Sequence, residues 1–184
     1  MDLKNYSFNF INIVTLHLKI KTSKMSQVSI KSIEKAINIV DNLDDDALEQ
    51  LSERHSLAQP TLLGYIMSAA IEYQNEKLEG LLLYYYCLIS ESFSQEGLET
   101  TTVTDDHIDA FEEPYFEMLD AYFDNNEDDI LEDFCDQPEL ARFISIELSE
   151  PDDDGTELDD ETATQLFIVM IAFTTLLSRS VKAA

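Results

Sequence analysis

The sequence predicts an all-α fold, a single-domain bundle of about seven to eight helices. Three observations lead there. Apolar residues recur at spacings of three and four over most of the chain. Pro or an acidic residue stands where several of these patterns begin. Finally, the apolar content, 45% of 184 residues, suffices for one core in spite of a net charge of −27.

Residues 1–24 stand apart. They hold four Lys against one Asp, a net of +3, so the remaining 160 residues carry −30. Tyr6–Ile20 alternates roughly, without a helical stripe, and no small-residue cleavage site follows. We read this stretch as an upstream extension or flexible tail, with an added edge strand as the alternative, and Met25 as a natural start. The domain then spans 25–184.

From Ser29, the apolar positions Ile30, Ile33, Ile37 and Val40 trace one helical face. Asp46 with Glu49 resembles a capping box opening a short helix to about His55, with Leu48 and Leu51 inward. Gln59-Pro60 opens a third helix, whose inner stripe is Leu62, Ile66, Ala69 or Ala70, and Tyr73. Asn75 then caps a fourth, Glu76 to about Phe93, which contains the apolar run Leu81–Ile89. After a linker over 94–104, Ile108, Phe111, Tyr115, Leu119 and Tyr122 mark a helix to Phe123. Pro114 inside it predicts a kink or a later start. A short helix follows around Ile130–Phe134, and Gln137-Pro138 opens another to about Leu148. A last helix runs from about Glu161 to Arg179. The two strongly apolar segments, nine and twelve residues, fall short of a membrane span, so no membrane association is expected.

Gln59-Pro60-Thr61-Leu62-Leu63-Gly64-Tyr65-Ile66 matches Gln137-Pro138-Glu139-Leu140-Ala141-Arg142-Phe143-Ile144 at Gln, Pro, Leu and Ile, with an aromatic pair. This suggests two similar four-helix halves, 26–95 and 104–181, packed on two central apolar helices. The alternative is that Gln-Pro simply starts helices.

Enzyme motifs are missing. The four glycines are too dispersed for a dinucleotide or phosphate loop, and no Ser sits in a nucleophile elbow. Cys87 and Cys135 lack metal or disulfide spacing, consistent with a reducing, cytoplasmic setting. His55 reads as a cation near a helix C-terminus. His107, between Asp105, Asp106 and Asp109, reads as part of a solvated helix start capped by Thr104. Tyr84, Tyr85 and Tyr86 read as core packing, or as hydroxyls in an inter-helix pocket.

The stretch 150–161 places Glu150, Asp152, Asp154 and Glu161 at positions 1, 3, 5 and 12 of a twelve-residue loop with Gly155 at position 6. It resembles a degenerate EF-hand calcium loop over those residues alone. Glu at position 1, Pro151, and Glu157 in an apolar position depart from the pattern, and no second loop pairs with it. An acidic inter-helix turn is the simpler reading, and no cofactor other than Ca²⁺ is suggested.

Acidity is densest over 105–133, with thirteen acidic residues and no Lys or Arg. Within it Glu113, Glu117, Asp120 and Asp124 form an i, i+4, i+7, i+11 stripe, extended by Asp109 before and by Asp128 and Asp129 after. Such a surface repels nucleic acid and anionic lipid and attracts basic proteins. The sequence therefore favours a non-enzymatic acidic binding protein for a basic protein surface, in an inhibitor, immunity-type or nucleic-acid-mimic role. A merely solubilising surface is the bland reading. A metal- or small-ligand-responsive protein, using the 150–161 loop or an inter-helix pocket, is the alternative function.

Overall fold

The computed structural model describes residues 26–125, 128–149 and 157–182. The reading of 1–24 as a tail, and of Met25 as a start, lies outside them.

Eight helices occur among the described residues, in the order α1 (Ile30–Val40), α2 (Asp45–Ala58), α3 (Pro60–Glu72), α4 (Leu78–Glu96), α5 (Asp105–Asn125), α6 (Asp128–Cys135), α7 (Pro138–Glu147) and α8 (Asp160–Arg179). No strand accompanies them there. The bundle is all-α, as its periodicity predicts.

At the start of helix α1, Glu96 from the end of α4 holds the Ser29 N–H and the Ser29 and Ser32 hydroxyls in place. The Glu96 carboxylate accepts from the Ser29 N–H at 2.9 Å, the Ser29 hydroxyl at 2.7 Å and the Ser32 hydroxyl at 2.8 Å. A negative charge there also opposes the positive end of the helix dipole, and these bonds hold the Glu96 carboxyl below its ordinary value. The helix buries Ile33, Ala36 and Val40. Ile30, predicted inward, is 56% exposed, because the buried face of the helix begins only at Ser32 and Ile33.

Helix α2 starts at Asp45 under an Asp44 cap, whose carboxylate accepts from Ala47 N–H at 2.9 Å. The cap expected at Asp46 is thus displaced, since Asp44 already has the extended backbone a cap needs. Pro60 and Pro138 occupy the first positions of α3 and α7, as expected. Tyr73, expected on the inner stripe of α3, closes that helix and is 38% exposed. Asn75 is no simple cap. Its oxygen accepts from Lys77 N–H, while its amide donates to Thr162 and Gln165, tying the start of α4 to the first turns of α8. Helix α4 runs past Phe93 to Glu96 and ends on Gly97, whose φ of 79° lets Leu98 N–H reach back to the Phe93 carbonyl. Helix α5 continues through Pro114 without interruption.

The core lies between α4 and α8, the two helices buried on most sides, which pack on each other. At their contact the Tyr86 ring stacks on Phe173, centroids 5.0 Å apart and 25° between planes. Helices α1, α2 and α3 cover α4, and α5, α6 and α7 cover α8. By length and composition α8 could cross a membrane, contrary to the twelve-residue estimate, but 67% of that stretch is buried within the protein.

Two glutamines lock the entry segments. Gln59 accepts from Val103 N–H at 2.8 Å and donates to the Thr101 carbonyl at 2.8 Å, holding the chain that leads into α5. Gln137 accepts from Val28 N–H at 2.8 Å and donates to the Ser26 carbonyl at 3.2 Å, holding the chain that leads into α1. Each glutamine is nearly fully buried. Each therefore satisfies, by side chain, backbone groups that have no helical or sheet partner.

Candidate functional site: the acidic face of α5 and α6

Along α5 the apolar side faces inward through Ile108, Phe111, Tyr115, Met118 and Leu119. At 100° per residue, Asp109, Glu113, Glu117, Asp120 and Asp124 then fall within an arc of roughly 80° on the opposite side. All five are exposed. None of them makes an ion pair among the described residues; the pairs found there use Glu91, Glu99, Glu132, Glu139 and Asp159. Asp129 is exposed on α6. Asp128 opens that helix, but its side chain lies outside the described residues. Glu132 is not free: Arg142 binds it at 3.1 Å and Glu139 at 3.3 Å.

Phe116 and Phe123, seven residues apart on the flank of the stripe, are each 52% exposed. The periodicity hints at them, since neither falls on the buried stripe.

Of the calcium-loop residues, Glu150, Asp152 and Asp154 lie outside the described residues. Glu161 sits in the first turn of α8 and accepts from the Gln165 amide at 3.2 Å. Among the described residues no three His, Cys, Asp or Glu side chains converge on one point. His107 folds back on its own helix start: Thr104 N–H donates to its Nδ1 at 3.2 Å, and the Thr104 hydroxyl lies at the same distance.

His55 departs from expectation in its surroundings. It lies in the last turn of α2, as expected, but as a buried ring, 3.3 Å from Glu91, which also receives Arg54 at 2.6 Å and the Gln95 amide at 2.7 Å. Glu91, 4% exposed, is the only charged residue between Glu79 and Glu96, and a lone acid in an apolar run signals a buried partner. Burial, and then the Arg54 guanidinium, hold His55 below its ordinary value of 6.5, against the opposing pull of Glu91. The folded protein thus resists the proton that the unfolded chain accepts. Stability from this site is present above about pH 6.5 and is lost as pH falls through the lower folded value. A melting curve taken between about pH 7 and pH 5 should show that loss, and His55→Gln should flatten it.

The tyrosine run divides by surroundings. Tyr84 donates to Asp41 at 2.8 Å near the surface, and Tyr86 donates to the buried His55 carbonyl at 2.9 Å. Cys87 and Cys135 are free and buried, and burial raises both thiols, Cys135 to about 11, away from the reactive thiolate. No family model matches the chain, and no curated protein or solved structure is significantly similar to it.

Proposed function

We propose that the protein is a non-enzymatic helical binding protein whose acidic face on α5 and α6 engages a basic protein surface. One observation carries the reading: five exposed carboxylates on a single side of α5 have no cation against them among the described residues. Like charges three and four residues apart disfavour a helix by a few tenths of a kcal/mol per pair. A partner bearing Lys and Arg relieves that repulsion, and long-range attraction speeds its encounter. The exposed Phe116 and Phe123 add apolar area beside the charges, which a purely solubilising face does not need. We also read the chain as two related halves, 26–95 and 104–181; the matching roles of Gln59 and Gln137 support this.

The test is capture of basic proteins from native lysate at low salt, followed by titration of the purified partner at several ionic strengths. Affinity is expected to fall by about tenfold or more between low and physiological salt, where screening shortens to about 8 Å. Substituting Glu113→Gln, Glu117→Gln, Asp120→Asn and Asp124→Asn together should remove most of that dependence. Affinity indifferent to salt, or unchanged in the fourfold variant, rejects the reading.

A further inference from the structure

Beside the acidic stripe, a cleft of about 190 Å³ opens between α3 and α5, floored by Ile168 and Ala172 of α8. Its walls combine two kinds of group. Tyr65 and Tyr73 from the α3 side and Phe116 from α5 supply aromatic rings. Tyr73 and Phe116 are partly open to water although both are large apolar rings. Glu72 from α3 and Glu112 from α5 supply carboxylates on opposite walls. Glu72 accepts from the Ser68 hydroxyl at 2.9 Å, and Glu112 lines the same cleft as the Tyr65 hydroxyl. Burial and then the nearby Glu112 charge push the Tyr65 hydroxyl up to about 12, so it stays protonated. Among the described residues neither Glu72 nor Glu112 meets a Lys or Arg, and no basic residue lines the cleft.

We propose that this cleft is a socket for one arginine side chain of the basic partner, an anchor that sets the partner's position on the acidic face. The inference rests on the binding role proposed above. Each alternative occupant fits less well. The carboxylates repel an anion, and a neutral apolar ligand has no use for two of them. At about 190 Å³ the cleft is smaller than the roughly 300–1,000 Å³ that cofactors and drug-sized ligands occupy. A guanidinium meets every wall. It is planar and weakly hydrated, stacks on aromatic faces, and can donate to both carboxylates at once, while its three-carbon stem covers the apolar floor. A Lys ammonium is a compact, strongly hydrated point charge and gains less from the rings. The location also suits an anchor, because Glu112 and Phe116 flank Glu113 and Glu117 on the same helix. A partner seated on the stripe therefore brings its neighbouring side chains to the cleft mouth.

The experiment uses the full chain, a short arginine-glycine peptide, and the lysine-glycine peptide of equal length and charge, titrated by calorimetry at low salt. The arginine peptide should bind about five- to tenfold tighter, the worth of one partly desolvated cation–π contact. Phe116→Ala should abolish that preference while leaving the lysine peptide's affinity nearly unchanged, whereas Glu72→Gln with Glu112→Gln should abolish it while weakening both peptides. The fourfold stripe variant should weaken both peptides and keep the preference. Equal affinity of the two peptides for the natural protein, or a preference that survives both cleft variants, overturns the socket; salt-dependent binding that the stripe variant removes would then leave the broader role standing. Failure of both peptides to bind at low salt overturns both readings.

Discussion

Tyr86→Ala is expected to lower folding stability by about 4 to 5 kcal/mol, a large share of the ~5–15 kcal/mol typical of a domain. Three contributions add up at this residue. The ring is fully buried at the centre of α4, so its removal leaves a cavity that close packing on all sides cannot collapse. The stack on Phe173, a direct contact between the two central helices, disappears. The hydroxyl that donates to the His55 carbonyl, beside the Gln59 N–H, goes too. Tyr86→Phe separates these effects: it keeps the ring and the stack and should lose about 1 kcal/mol. Urea unfolding followed by far-ultraviolet circular dichroism measures both. If the two substitutions cost the same, the packing argument fails.

Gln137→Ala should lose about 3 kcal/mol, from a buried hydrogen-bond donor left without an acceptor and from lost volume. Its amide serves three partners: Val28 N–H, the Ser26 carbonyl and the Ser178 hydroxyl, at 2.8, 3.2 and 2.9 Å. Gln137→Met preserves most of the volume and removes all three bonds, so it isolates the polar share. Gln59 faces the same number of partners and should respond alike, with Val103 N–H, the Thr101 carbonyl and the Thr100 hydroxyl orphaned. Thermal unfolding of the four variants tests the equivalence. A shift at Gln137 without one at Gln59 would mean that the second clamp is ornamental.

Much of this was legible in the residues. The helices with a wide apolar stripe, α3 and α5 above all, follow from spacing, and Pro60 and Pro138 mark starts because proline's missing N–H is harmless there. The acidic face is legible because charge can be counted and a helix turns by a known angle. Errors arose where a residue's partner is distant in the chain. Nothing near Asn75 says that its amide reaches Thr162 and Gln165, and nothing near His55 names Glu91. Ile30 and Tyr73 sit at helix ends, where a stripe no longer dictates which way a side chain turns. The cleft was illegible for the same reason: its walls come from α3, α5 and α8, and only the packing of all three creates it.

The crossed glutamine clamps also bear on the order in which the molecule can assemble. Val28 N–H waits for a side chain 109 residues downstream, while Val103 depends on Gln59, 44 residues before it. As the chain leaves the ribosome, Glu96 can hold Ser29 first, but Val28 N–H lacks its acceptor until residue 137 has been made. Helix α4 likewise has no α8 to cover its apolar surface until nearly the whole chain is present. The first helices can therefore form early but cannot close their own core, so native packing arrives late and as one cooperative event.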